Sequence, residues 1–377
     1  MRSIPALSRR ALLTAGAAGV VALATPAHTA VARPSRPPVA AASFRTVGRV
    51  KKAADGFVEY TWPGIAFEGR FKGTGVGIVL ADSDNDYDVQ IDGETVSTLV
   101  TPGQVTSWVG DLADGVHSVR LVKRTESPWA VGRFGGFVAA GGGTVLPPAA
   151  PRRRQIEFIG DSFTAGYGNT SGTRDCSPIG GVNRNSNAYL AFGALTARRL
   201  RADYQQNAFS GRGMVRNYNG GEPGTDYRTY YERALLNIAG DVWRNPGTWQ
   251  PQVVVIGLGI NDFSTPLNPG EQWATQDDLV TAYASAYHGF LDTLRARYGP
   301  RTHLVVSSTL VSGTPFADTT QRIVQERNAR GDGRIVHWYY DDPALDRLGC
   351  DWHPSLHDHR IISGLLDQKL ATLPLGW

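Results

Sequence analysis

Ile156-Glu157-Phe158-Ile159-Gly160-Asp161-Ser162-Phe163-Thr164 decides how this chain is read. An apolar run of strand length ends in Gly-Asp-Ser, and a loop rich in Gly, Asn and Ser follows. Open α/β sheets hold their ligands just past the carboxyl ends of parallel strands, so a serine at that corner is placed to meet one. Gly160 lets the backbone turn sharply. Asp161 and Thr164 carry side chains that hydrogen-bond local backbone groups and hold such a turn. Ser162 is therefore a candidate nucleophile, although Asp-Ser corners also occur as plain turns.

Three later stretches raise its standing. Ala208-Phe209-Ser210-Gly211-Arg212-Gly213 is a Gly-rich turn. Val253-Val254-Val255-Ile256-Gly257-Leu258-Gly259-Ile260-Asn261-Asp262 is a second buried strand ending in Gly-x-Asn-Asp. Gly349-Cys350-Asp351-Trp352-His353-Pro354 lies near the C-terminus. In chain order these supply a serine, a backbone donor, a side-chain amide donor and a base, the parts that acyl transfer needs. Singly, Gly211 reads as a turn glycine and Asn261 as an Asx turn with Asp262. Together the four blocks resemble the SGNH (GDSL-type) hydrolases over residues 152–377.

The resemblance implies Ser162 as nucleophile and His353 as base. It implies an oxyanion hole made by the N–H groups of Ser162 and Gly211 and the side-chain amide of Asn261. That family usually carries an aspartate three residues before the histidine, where this chain has Cys350. Asp351 lies two before His353 and shares its side in an extended segment. Its carboxylate is one candidate to orient the ring; a backbone carbonyl, leaving a Ser–His dyad, is the other. Trp352 is a candidate to stack on a sugar, with burial in the core as its alternative use.

With 377 residues, 41% hydrophobic and 10% aromatic, the chain has room for one large or two medium well-cored domains. Its formal net charge is +4, and Arg2, Arg9 and Arg10 contribute three of those charges within an acid-free stretch, residues 1–32. The remainder is near neutral, a poor footprint for nucleic acid. Arg152-Arg153-Arg154 reads as a solvated linker edge. Ser8-Arg9-Arg10-Ala11-Leu12-Leu13 and the Ala/Gly-rich run after it resemble a twin-arginine export signal over 1–32. A Pro/Ala-rich flexible leader follows over 33–43. The run is short and interrupted by Gly and Pro, so no membrane anchor is expected. The expected protein is secreted, soluble and monomeric.

Cys176 and Cys350 are the only cysteines. In an exported protein they are expected as one disulfide tying the loop after Ser162 to the loop before His353, with two buried thiols as the alternative. Neither has the spacing of a zinc site. His353, His357 and His359 flank a helix start marked by Pro354, and the last two read as first-turn surface residues. No metal or cofactor is expected.

Residues 44–146 read as all-β. Phe67–Gly73 and His117–Arg124 alternate, and Asp92-Gly93-Glu94 between two short strands signals a hairpin. No catalytic cluster is evident there. Trp62, Trp108 and Trp129 are candidates for a sugar platform, with core packing the expected use. Pro147-Pro148-Ala149-Ala150-Pro151 opens a linker over 147–154. Within 155–377, helical patterns at 188–200, 279–298 and 356–373 alternate with strands at 253–256, 303–308 and 335–340. That order predicts a parallel sheet covered by helices.

Two domains in this order narrow the resemblance. Arg49-Val50, Trp62-Pro63-Gly64, Arg70-Phe71-Lys72-Gly73-Thr74-Gly75, Lys123-Arg124-Thr125-Glu126-Ser127 and Ser210-Gly211-Arg212-Gly213 resemble the family-two carbohydrate esterases of acetylxylan esterase type. Those enzymes set a jelly-roll β-sandwich ahead of an SGNH hydrolase domain and remove acetyl groups from xylan and glucomannan. The resemblance implies a serine esterase acting on acetylated polysaccharide or oligosaccharide through an acyl-enzyme. An SGNH lipase or thioesterase is the first alternative; the polar loops at 165–187 and 211–228 offer no apolar trench for a long acyl chain. A carbohydrate-binding protein with a vestigial esterase site is the second; the intact Ser162, Gly211, Asn261 and His353 count against it.

Overall fold

Strand patterns between 44 and 146 close into two antiparallel sheets whose apolar faces meet. The computed structural model describes residues 44–377; the signal and leader expected over 1–32 and 33–43 lie outside them. One sheet runs in the order Phe44–Val47, Ala66–Gly73, Gly115–Lys123, Asp86–Ile91 and Glu94–Val100, with Thr144–Leu146 also paired to Ala66–Gly73. The other runs Lys51–Lys52, Val58–Tyr60, Gly132–Ala139, Val76–Asp82 and Gly103–Val109. Side chains alternate across a strand, so Phe67, Val89 and Leu121 from the first sheet meet Ile78, Leu80 and Phe134 from the second. The Phe67 and Phe134 rings stack at 4.1 Å between centroids.

The second half is a five-stranded parallel sheet. Its spatial order is Asp203–Ala208, Gln155–Gly160, Val253–Gly257, His303–Ser308, Ile335–Tyr339. The chain order therefore reverses between Gln155–Gly160 and Val253–Gly257, and open sheets bind ligands at that switch point. Both faces are covered, which is why Val253–Gly257 reads as a continuous apolar run rather than an alternating one; the edge strand Asp203–Ala208 is polar in sequence, DYQQNA, and gives no such signal. Ile156, Phe158, Val253 and Val255 pack with the helices Phe192–Arg199 and Leu356–Ala371. Ile159, Val254, Ile256 and Leu304 pack with Gln276–Tyr298 and Thr314–Ala329. The helical pattern at 188–200 resolves into a 3-10 turn at Ala188–Leu190 and a helix from Phe192, because Ala191 is extended.

The two halves are joined through buried charge. Arg49 donates to Glu157 Oε1 at 2.8 Å, both side chains fully buried, and its guanidinium lies over the Tyr231 and Trp243 rings at 4.5 and 4.7 Å. Glu157 sits on the strand that leads to Ser162. Removing one partner of such a pair strands a buried charge, at a cost of about 3–5 kcal/mol. Arg45 adds a two-pronged contact to Asp203 at 2.7 and 2.9 Å. The β domain is thus fastened to the neighbouring strands Gln155–Gly160 and Asp203–Ala208, beneath the corner where chemistry is expected.

Candidate active site

Each predicted site residue leaves the carboxyl end of a strand or the loop before the last helix. Ser162 follows Gln155–Gly160 and opens a four-residue helical turn, Ser162–Ala165. Asp161 caps it, its Oδ1 accepting from Phe163 N–H at 3.1 Å. Gly160 has an ordinary φ, so the sharp-turn role expected of it is not the one it plays. A Cβ there would come within 2.1 Å of Thr164 Oγ1, and the glycine is required by close approach instead.

His353 Nε2 lies 2.8 Å from Ser162 Oγ. Its Nδ1 faces two backbone carbonyls, Cys350 O at 3.0 Å and Asp351 O at 3.2 Å. A donor at Nδ1 fixes the tautomer that leaves Nε2 free to accept the serine proton. The ring is wedged between Tyr167, centroid at 4.2 Å, and Phe163, edge-on at 5.5 Å. Burial pushes the imidazole below the ordinary histidine range, while the two carbonyls and the nearby Asp351 charge draw it partly back.

Asp351 does not orient the ring through its carboxylate. The expectation assumed an extended segment, but Cys350–Trp352 is a tight turn with Asp351 and Trp352 at φ of 52° and 65°. That winding turns the carboxylate onto Tyr167 Oη–H at 2.9 Å and leaves the carbonyls under the imidazole. The turn is held from outside, Cys350 N–H donating to Gly168 O and Asp351 N–H to Arg174 O, and is closed on itself by Gly349 N–H to His353 O. Cys176 and Cys350 are joined as a disulfide. Past His353, Ser355 and Asp358 form a capping box on the closing helix.

On the opposite side, Gly211 sits at φ 77°, and a Cβ there would meet nothing within 4 Å, so its outer face is open. The N–H groups of Ser162 and Gly211 have no acceptor among the described residues. Asn261 is buried, and its amide donates to Arg212 O at 3.0 Å and, more loosely, to Asp161 Oδ2 at 3.3 Å. It therefore ties the serine turn to the glycine turn. Asp262 beside it accepts from Met214, Val215 and Arg216 N–H at 2.8, 2.8 and 2.9 Å, rather than merely closing an Asx turn. Burial raises the Asp161 carboxyl to about 7 and that of Asp262 to about 6, against the backbone donors that pull each down.

The three C-terminal histidines have separate surroundings. His353 faces Ser162, His357 is exposed, and His359 is fully buried with Nδ1 accepting from Phe192 N–H at 3.1 Å, not a surface residue. Among the described residues, one group, Asp346, His357 and Asp358, brings ligand-type atoms close. The Asp358 oxygens already accept from the N–H groups of Asp346, Arg347 and Ser355.

Residues 46–149 match the carbohydrate esterase 2 N-terminal family, and residues 158–355 match the GDSL-like lipase/acylhydrolase family. The chain is 39% identical over 308 residues to an acetylxylan esterase / glucomannan deacetylase of Cellvibrio japonicus (strain Ueda107), covering 81% of this chain and 83% of that one. The chain belongs to the family-two carbohydrate esterases. Solved members share its architecture. A carbohydrate esterase whose active site displays divergent catalytic and non-catalytic binding functions aligns with a TM-score of 0.80 at 36% identity, covering 88% and 98% of the two chains. A family two carbohydrate esterase from Clostridium thermocellum in complex with cellohexaose aligns with a TM-score of 0.77 at 30% identity, covering 89% and 99%.

Glu126 has a role the sequence does not mark, and Trp129, a candidate sugar-platform residue expected in the core, is instead exposed. Both come from the β domain, where no cluster was evident. Glu126 Oε1 accepts from Ser210 N–H at 2.7 Å, and its other oxygen from the Ser210 hydroxyl. Trp129, 66% exposed, lines a pocket of about 570 Å³ next to Gly211, with Pro128, Phe209, Tyr218 and Tyr230. Of the other tryptophans, Trp62 is fully buried and donates to Arg233 O at 3.0 Å, while Trp108 is exposed. Trp352 is not in the core: it is 63% exposed, with the Arg174 guanidinium 3.6 Å above its ring. Among the described residues no helix is long and apolar enough to cross a membrane.

Proposed function

We propose that this esterase is a secreted serine enzyme that removes O-acetyl groups from plant cell-wall polysaccharide, acetylxylan or acetylated glucomannan. In this reading it acts as a monomer, with a twin-arginine signal over 1–32, a leader over 33–43, a β domain over 44–146, a linker over 147–154 and the hydrolase domain over 155–377. The observation that carries it is the 2.8 Å contact between Ser162 Oγ and His353 Nε2, beside the Ser162 and Gly211 N–H groups that have no acceptor among the described residues, at the switch point.

The chemistry follows from that arrangement. Ser162 Oγ attacks the acetyl carbonyl carbon as its proton passes to His353 Nε2. The carbonyl oxygen becomes an anion held by Ser162 N–H, Gly211 N–H and Asn261 Nδ2, which shares a hydrogen now turned loosely to Asp161. The tetrahedral adduct expels the sugar oxygen, which takes the proton from His353. Water then repeats the sequence on the acetyl-serine, giving its proton to His353 and releasing acetate. The carbonyls at Nδ1 hold the ring throughout, so the catalytic pair is a dyad.

Recognition of the sugar is assigned to aromatic faces at the rim. Trp129 and Tyr218 lie in the pocket beside Gly211, and Trp352 adjoins the base. Flat exposed rings with polar neighbours suit a carbohydrate better than a long acyl chain. Acetate release from acetylated xylan and glucomannan tests the reading. Ser162→Ala is expected to lower turnover by about 10³-fold or more. Equal release by both proteins rules out serine chemistry; tight oligosaccharide binding without release by the wild type marks a binding protein instead.

A further inference from the structure

The Gly211 N–H is the one proposed oxyanion donor carried by a residue with almost no conformational preference of its own. What fixes it is therefore a question about its neighbours. Downstream, Tyr218 N–H donates to Gly211 O at 2.9 Å, and Asn261 holds Arg212 O at 3.0 Å. Upstream, Phe209 N–H donates to Gly160 O at 3.0 Å. Between these lies Ser210, whose carbonyl carbon is bonded to the Gly211 nitrogen, so its torsions set where that N–H points. Both polar donors of Ser210 are taken by one carboxylate, that of Glu126. A planar carboxylate gripping the N–H and the hydroxyl of a single residue fixes its backbone and its side chain together.

Glu126 is itself rigidly mounted. It follows Thr125, whose Oγ1 donates to Asn85 Oδ1 at 2.8 Å and accepts from Asp86 N–H at 3.1 Å. The buried Lys123 ammonium donates to Thr61 O at 3.0 Å and Thr125 O at 2.8 Å. Arg124 N–H donates to Asp86 O. These contacts belong to the β domain, and they hold the carboxylate against the glycine turn of the hydrolase domain. Burial raises the Glu126 carboxyl, and the Lys123 and Arg212 charges oppose that rise.

We infer that Glu126 of the β domain is a positioning residue for the oxyanion donors: it clamps Ser210 so that the Gly211 N–H faces the reacting carbonyl. The β domain is then part of the catalytic machinery and not a detachable sugar-binding module. The inference rests on the serine-esterase reading, and its test separates the two. The full chain is assayed on 4-nitrophenyl acetate, which has no sugar, and on acetylated xylan, with kcat, KM and Tm recorded for each variant. Glu126→Ala is expected to lower kcat on both substrates by about 10- to 100-fold, less than the loss of a whole donor, with KM little changed. Glu126→Gln is expected to stay within about fivefold of wild type, because a glutamine oxygen still accepts from the Ser210 N–H and its amide donates to the hydroxyl oxygen.

A folded Glu126→Ala protein with unchanged kcat, or one whose loss lies wholly in KM on xylan, overturns the inference. So does Glu126→Gln as slow as Glu126→Ala, since the effect then follows charge and not position. Should Glu126→Ala fail to fold, Ser210→Ala decides, because it leaves Glu126 and its supports in place. Reduced kcat at unchanged Tm supports the clamp, and unchanged kcat overturns it. Ser162→Ala is the control: if it releases acetate like the wild type, the serine reading fails as well, whereas an inactive Ser162→Ala beside an unaffected Glu126→Ala removes the clamp alone.

Discussion

The two sides of the site are built from opposite materials. The base side, Tyr167 and residues 349–353, is held by backbone: two carbonyls under the imidazole, three main-chain hydrogen bonds around the turn and one disulfide. The donor side, residues 208–217 with Asn261, is held by buried or half-buried carboxylates, Asp262 below and Glu126 across the domain boundary. The difference follows from what each side must do. An imidazole that becomes positive during the reaction is served by carbonyl dipoles, which cost nothing to keep in place. Backbone N–H groups awaiting an anion need their neighbours pinned, and a carboxylate that accepts several N–H bonds pins several residues at once.

Substitutions on the two sides should therefore fail differently. Asn261→Ala removes a donor outright, and kcat is expected to fall by about 10²–10³-fold with KM little changed. Steady-state kinetics on an acetyl ester checks this, and a loss confined to KM would move Asn261 from oxyanion binding to sugar binding. Asp262→Ala leaves three N–H groups, two of them buried and that of Val215 half-buried, without an acceptor. It should cost stability by about 1–3 kcal/mol or more as well as turnover, read by thermal melting beside kcat. Opening the disulfide, by Cys176→Ser with Cys350→Ser, should remove about 2–4 kcal/mol of stability. Its effect on turnover should be smaller than that of Asn261→Ala, because the main-chain bonds at Gly168 and Arg174 still hold the turn. A disulfide-free protein as slow as Asn261→Ala would mean that backbone alone does not keep the base in place.

How much of this the sequence carried depended on whether the signal was local. The parallel sheet was legible where buried strands are largely apolar, as at Val253–Gly257, and the strand expected over 303–308 forms with those bounds; the edge strand Asp203–Ala208, DYQQNA, was not legible because its buried side chains are mostly polar. Cys176 and Cys350, the only pair available, are bonded. Ser162, Gly211, Asn261 and His353 were legible as residues following strand ends or preceding a capped helix. Their distances were not, since the pairs are brought together only by tertiary packing. Asp351 misled because side-chain direction was inferred from an extended segment, while two successive residues at positive φ turn it away. The role of Glu126 was missed, and Trp129 was expected in the core, because nothing in the loop between Gly115–Lys123 and Gly132–Ala139 marks which side chains meet another domain. The motif Lys123-Arg124-Thr125-Glu126-Ser127 was visible as a likeness, but its use appears only once Ser210 stands against it.

The smallest effect belongs to Asp351, and it tests the backbone-held base most directly. Replacing a triad aspartate costs about 10⁴-fold in kcat because the imidazole then takes the wrong tautomer. Here the tautomer is set by Cys350 O and Asp351 O, which Asp351→Asn leaves untouched, so kcat at neutral pH should change by no more than about threefold. The carboxylate still acts at a distance. Its charge raises the imidazole, against the larger lowering by burial. In the wild type the acid limb of kcat/KM should therefore fall below the ordinary histidine value of about 6.5, because neutral His353 is the base and persists to lower pH. Removing the charge removes a raising influence, so in Asp351→Asn that limb should move further toward acid. A limb that moves toward neutral pH, or a kcat loss approaching that of a broken triad, would show that the carboxylate and not the carbonyls supports the base.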